Sequence, residues 1–171
     1  MSRVRASHFP DEALLLEYLR AGAYTDCYTT RLPRRITHAQ FVEAFYTTWL
    51  FRIERWILAT LVARRSTDED VRSLARGDSA EFSAWDVEAR AVDQLLLCDF
   101  RKSTRSWLMV ARSADTASTW LYFGSAVMRA ARNRHGQARL GGGFRLLLGF
   151  HKLYSRALLT LARRALERRA A

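Results

Sequence analysis

Four strand-like segments set a few residues apart, followed by one long amphipathic helix, constrain this chain more than any other feature of it. From Glu81 onward the apolar pattern leaves the helical period. Phe82–Val92, Gln94–Phe100, Thr104–Ser113 and Thr119–Met128 read as strands joined by short polar turns, Arg101-Lys102-Ser103 among them, and predict an antiparallel meander. An earlier segment, Tyr24–Leu32, is rich in threonine and tyrosine and is stopped by Pro33, which adds a fifth strand. After the meander, Phe144–Arg168 carries Leu147, Phe150, Leu153, Tyr154, Ala157, Leu158, Leu161 and Ala165 at helical spacing over about six or seven turns. The order predicts an α+β domain in which a curved antiparallel sheet of about five strands wraps around a long C-terminal helix.

The other elements fit around that frame. Asp11–Arg20 has an amphipathic helical pattern ended by Gly22, and is expected to pack outside the main sheet. Thr37 is a candidate N-cap for a helix whose apolar stripe is Phe41, Val42, Phe45 and Tyr46. A second helix carries Trp49, Leu50, Ile53, Trp56, Ile57, Thr60 and Leu61 on a wide apolar face, expected to lie against something flat. Ser66-Thr67-Asp68-Glu69 reads as an N-cap with an acidic first turn, predicting a short helix over Thr67–Arg76 closed by Gly77. The basic, glycine-ended stretch Arg129–Gly143 reads as a flexible connection. The expected organisation is one domain over 1–171, with 1–22 as an extension and 23–168 as the core.

Composition narrows the function classes. Of the 28 basic residues only Lys102 and Lys152 are lysine, so the net charge of +11 is almost wholly arginine. Such a charge draws anionic surfaces and makes peripheral contact with an anionic membrane an expectation, but no nucleic-acid motif accompanies it. The apolar windows Trp49–Ala63 and Phe144–Leu166 are broken by charges and cannot span a bilayer unaided. With no apolar signal region in Met1–Pro10, a cytoplasmic protein is expected. Cys27 and Cys98 lack the number and spacing of a disulfide framework or a zinc site. His8, His38, His135 and His151 show no pair at ligand spacing, so no metal and no cofactor are expected.

On Trp85-Asp86-Val87-Glu88 with Leu95-Leu96-Leu97, on Arg105-Ser106-Trp107-Leu108, and on Gly149-Phe150-His151-Lys152-Leu153-Tyr154, the chain resembles the helix-grip superfamily, also called START-like or SRPBCC. Within it, the chain is similar to an uncharacterised bacterial domain family. The resemblance covers roughly residues 24 to 168. It implies a cavity between sheet and C-terminal helix that takes an apolar or amphiphilic small molecule.

Alternation puts Trp107 and Met109 on one face of their strand, and Trp120 and Tyr122 on one face of the next. These four, with Trp85 and Phe123 near them, are expected as cavity walls, together with Phe150 and Tyr154 from the helix. Polar residues within strands are Asp26, Asp99, Arg105 and Ser125. Asp99 and Arg105 are expected to pair across a hairpin, and an inward Arg105 would hold a ligand carboxylate or phosphate. His151, three residues before Tyr154, is the candidate polar contact of the helix. Three functions follow as expectations: a binding module using these walls with Arg105 or His151; a cyclase or dehydratase type of enzyme in which Tyr154, His151 and Asp26 act on a carbonyl compound; and an interaction domain with a filled core.

Overall fold

The strand segments join a single seven-stranded antiparallel sheet in the computed structural model, which describes residues 3–61, 66–113, 117–128 and 142–168. In chain order the elements are β1 (Arg5–Ala6), α1 (Leu16–Arg20), β2 (Tyr24–Leu32), α2 (His38–Tyr46), α3 (Trp49–Leu61) and α4 (Asp68–Arg76). There follow β3 (Glu81–Phe82), β4 (Trp85–Ala91), β5 (Gln94–Asp99), β6 (Thr104–Arg112), β7 (Thr119–Val127) and α5 (Gly142–Arg168). The sheet order is β1-β2-β7-β6-β5-β4-β3. The meander β3 to β7 is laid down in sequence, and β2 closes it by pairing with β7 from Tyr24↔Val127 to Leu32↔Thr119. The sheet curls around α5, which packs on α2 and β2. This is the α+β helix-grip arrangement that the element order predicts.

Local chemistry sets the helix ends where the sequence signals them. Thr37 accepts the Gln40 amide hydrogen at 3.2 Å while the Gln40 side chain caps Thr37, a reciprocal box that satisfies two free donors. Thr67 and Asp70 do the same for α4, and Gly77 ends it in the left-handed region at φ 88°. Each such cap is worth about 1 kcal/mol.

Two apolar layers form, one on each face of the sheet. On the inner face, Tyr28, Leu32, Leu95, Leu97, Leu108, Leu121 and Phe123 pack with Phe41, Phe45 and Tyr46 of α2 and with Leu158, Leu159, Ala162 and Leu166 of α5. On the outer face, Cys27, Leu96, Trp107, Met109 and Ala126 are covered by Ala13 and Leu15, with Phe9, Leu14, Leu16 and Tyr18 around them. Gly124 on β7 is required there. A Cβ would stand 2.9 Å from the Asp26 carbonyl oxygen, 3.0 Å from Trp107 and 3.1 Å from Leu15.

Several expectations are corrected. The sheet has seven strands rather than about five, because the N-terminal segment supplies β1 and because Ser83, at φ 57°, breaks Phe82–Val92 into β3 and β4. The expected helix over Asp11–Arg20 is helical only over Leu16–Arg20. Asp99 does not pair with Arg105. Its carboxylate instead accepts Ser103 N at 2.6 Å, Ser103 Oγ at 2.8 Å and Thr104 N at 2.8 Å, which folds the β5–β6 turn. Of the described residues of the α3 stripe, Trp49, Ile53 and Trp56 are 61%, 47% and 68% exposed rather than laid against a surface, while Leu50 packs on the core and Phe51, outside the stripe, is buried. Within Arg129–Gly143, residues 129–141 lie outside the described residues, and α5 begins at Gly142. No described helix is long and apolar enough to cross a membrane.

Candidate functional site

Between the inner face and α5 lies a cavity of about 210 Å³. Phe45 of α2, Phe51 of α3, Trp85 of β4 and Phe123 of β7 form its aromatic walls, and Leu158 closes it from α5. One side is polar, with Ser106 on β6, Ser125 on β7, and His151, Tyr154 and Ser155 on α5. The sheet register explains that side. Asp26 pairs with Ser125, and Ser125 with Ser106, so three polar residues stand in one row across β2, β7 and β6. His151 and Ser155 are one turn apart on α5 and therefore share a face.

These groups form a short hydrogen-bonded chain. Ser125 Oγ is 2.6 Å from Asp26 Oδ1, which also accepts the Ser125 amide hydrogen at 3.2 Å, and lies 2.7 Å from His151 Nε2. Asp26 Oδ2 stands 3.7 Å from the same imidazole nitrogen and accepts no hydrogen bond among the described residues. The Asp26 side chain is 8% exposed and that of His151 31%, so the chain runs from a buried carboxylate to a partly open imidazole. The buried charge is felt nearby. Burial first, and then the Asp26 carboxylate, push the hydroxyls of Tyr24 and Tyr28 upward and the Cys27 thiol up to about 12. Cys27 is therefore an inert thiol at neutral pH.

Two further polar atoms of cavity-lining residues, Trp85 Nε1 and Ser155 Oγ, are buried without a hydrogen-bond partner among the described residues. Leaving a buried polar group unpaired costs about 1–3 kcal/mol, so such atoms concentrate where a fold is completed by something else.

Of the residues expected at the site, Trp85, Phe123, His151, Tyr154 and Arg105 border the cavity. Arg105 is held by others: its Nε is 2.9 Å from Glu88 Oε2, its Nη1 donates to the Lys102 carbonyl at 2.7 Å, and its guanidinium lies 4.8 Å from the centre of the Tyr18 ring. Tyr18 in turn donates to Glu88, which fastens α1 to the sheet. Trp107, Met109 and Tyr122 belong to the outer layer. Trp107 is fully buried against Phe9 and Tyr122, and its Nε1 donates to Gln94 Oε1 at 2.9 Å. Trp120 faces the same way, under the Arg5 guanidinium at 5.5 Å. Their placement as cavity walls is corrected, since the alternation is as expected but its sides are exchanged. The Phe150 side chain lies outside the described residues.

The residues that sequence reasoning did not place here are Phe45, Phe51, Ser106 and Ser155. Only Ser155 had a local signal, its spacing of four from His151. Among the described residues no three His, Cys, Asp or Glu side chains gather as metal ligands.

No protein-family model matches this chain, and neither does any curated protein. Among solved structures, it is similar to the solution NMR structure of CalU16 from Micromonospora echinospora, at 13% identity over 91% of this chain and 74% of that one, with a TM-score of 0.33. It is also similar to the crystal structure of CalU16, at 12% identity over 96% and 92% of the two chains and a TM-score of 0.30. Neither likeness assigns a ligand or a reaction to this chain.

Proposed function

We propose that this chain, a START-like helix-grip protein, binds a small apolar molecule bearing a hydrogen-bond acceptor in the cavity between sheet and α5. One observation carries the reading: an aromatic cavity whose lining keeps two buried polar atoms, Trp85 Nε1 and Ser155 Oγ, without partners. Ligand sites are largely apolar with a few placed polar groups, and an acceptor atom on the ligand would offer such a donor the partner it lacks. Size limits the ligand. An apolar cavity of roughly 150 Å³ takes up benzene, so about 210 Å³ suits a one- or two-ring molecule and is too small for a lipid with full acyl chains.

The test is native mass spectrometry of the purified protein, followed by thermal unfolding with a panel of one- and two-ring aromatic ketones and phenols. A ligand at 100 times its Kd stabilises the folded state by about 2.7 kcal/mol, a shift of several degrees. Ser155→Leu crowds the cavity and removes one donor, so it should stay folded at a cost of about 1–3 kcal/mol and show no ligand-induced shift. A protein that carries no small molecule and gains no stability from any member of the panel would overturn the reading.

A further inference from the structure

We propose that His151 is a general base held in one tautomer by Asp26 through the Ser125 hydroxyl, and that the cavity moves a proton at the carbon beside the carbonyl of a small ketone. This rests on the cavity being a ligand site and names the class of molecule and the chemistry.

The geometry assigns the protons. Ser125 Oγ lies 2.6 Å from Asp26 Oδ1, a separation two oxygens reach only with a hydrogen between them, so the serine donates to the carboxylate. Its oxygen is then the acceptor for His151 Nε2–H at 2.7 Å. The neutral imidazole is thereby fixed with its proton on Nε2 and its lone pair on Nδ1, which makes no hydrogen bond among the described residues. When Nδ1 takes a second proton, the positive ring faces Asp26 Oδ2 at 3.7 Å, an oxygen otherwise unpartnered.

The same cavity supplies the other half of the reaction. His151 Nδ1 takes the proton from the carbon next to the carbonyl. The C–H electron pair becomes the new C=C bond, and the carbonyl π pair moves to the oxygen. Trp85 and Ser155, whose Nε1–H and Oγ–H lack partners, border the same cavity and are the donors available to that developing oxyanion. Return of the proton from the imidazolium to the same carbon, or to a conjugated one, restores the base. The net change is exchange or isomerisation, so no oxidant, reductant or second substrate is consumed. His151 is the catalytic residue, while Ser125 and Asp26 are positioning residues. The other titratable or charged groups around this wall are Tyr24 and Tyr28 on β2, His8 before it, Tyr154, Lys152 and Arg156 on α5, and Arg105 with its partner Glu88. Of these described groups, Asp26 is the anion placed within 4 Å of the imidazole.

The experiment uses 2-tetralone, a two-ring ketone, with the full chain in D2O, following loss of the proton signal beside the carbonyl by NMR. The wild-type protein should accelerate exchange about 10²-fold or more over buffer, the ordinary yield of a positioned base. His151→Gln should return the rate to that of buffer while keeping the thermal shift given by 2-tetralone. Asp26→Asn should lower the plateau rate while keeping the thermal shift given by 2-tetralone, and should move the His151 ¹⁵N shifts away from those of a single Nε2-protonated tautomer, which a merely structural role would not do. Independently of any ligand, the ¹⁵N shifts of His151 should report the tautomer protonated at Nε2.

Binding without acceleration, full activity in His151→Gln, an undiminished rate in Asp26→Asn or an Nδ1-protonated tautomer would each overturn the proton-transfer proposal and leave the binding reading standing. Absence of any shift with 2-tetralone and with the whole ketone panel would instead remove the binding reading, and this proposal with it.

Discussion

The two faces of the sheet are built from the same strands, yet they end in different states. On the outer face every described polar group of the central packing is paired. Gln94 Oε1 accepts from Trp107 Nε1 at 2.9 Å and from Leu14 N at 3.0 Å, and Gln94 Nε2 donates to the Glu12 carbonyl at 3.0 Å. On the inner face a comparable set of aromatics leaves a cavity, and Asp26 Oδ2, Trp85 Nε1 and Ser155 Oγ keep unused hydrogen-bonding capacity. A layer that satisfies itself is structural. A layer that stops short of doing so is the one on which the proposed binding reading rests.

Truncating the outer layer should have the largest effect on stability. Trp107→Ala removes a fully buried ring and is expected to lower unfolding stability by about 3–5 kcal/mol, read by urea denaturation. Whatever fraction remains folded should still respond to cavity ligands. Loss of that response in a well-folded variant would erase the division between the faces.

Acid should loosen the inner layer through His38. This residue opens α2, is 7% exposed, and donates from Nε2 to the Leu108 carbonyl at 3.3 Å. Burial, only partly opposed by that hydrogen bond and reinforced by Arg90, lowers it to about 4 from its ordinary 6.5. The unfolded chain binds this proton near pH 6.5 and the folded chain only near pH 4. Stability is therefore complete above about pH 6.5 and declines as the pH falls toward 4, by on the order of 3 kcal/mol. Asp68 acts at lower pH: burial opposes its ionisation, hydrogen bonds from Arg55 and Arg52 outweigh that, and its carboxyl is held below the usual range. In His38→Gln the decline between pH 6.5 and 4 should flatten, which denaturation at several pH values would show. An unchanged slope would assign the effect elsewhere.

The smallest effect sharpens the contrast most. Ser155→Ala removes a buried hydroxyl that has no partner, so the stability of the unliganded protein should change by less than about 1 kcal/mol, and toward greater stability. A clear loss, measured by the same denaturation, would mean that the inner face is as self-satisfied as the outer.

Much of this was legible in the chain. The strand bounds Tyr24–Leu32 agree residue for residue, the β6 and β7 segments agree to within a residue, and the caps at Thr37, Thr67 and Gly77 are where their chemistry put them. Within the candidate site, His151 and Tyr154 reach the cavity because a helix period of 3.6 couples spacing to face. The side taken by Trp107 and Met109 was not legible. From Arg105 to Val110 β6 is buried on both faces, so its alternation separates two sets of residues without marking which set points inward. What decides it is the N-terminal segment, whose Phe9, Ala13 and Leu15 cover one face from a distance of about a hundred residues along the chain.

The sequence by itself determined the main strands and helices and their order, because helix period, caps and turn chemistry act over a few residues, but not β1, the break at Ser83 or the true length of α1. Tertiary structure alone decided the meeting of Asp26 with Ser125, 99 residues apart, beside His151, and the existence of a cavity there. Those depend on the register of β2 against β7 and on how tightly α2, α3 and α5 fill the inner face, which are properties of long-range packing.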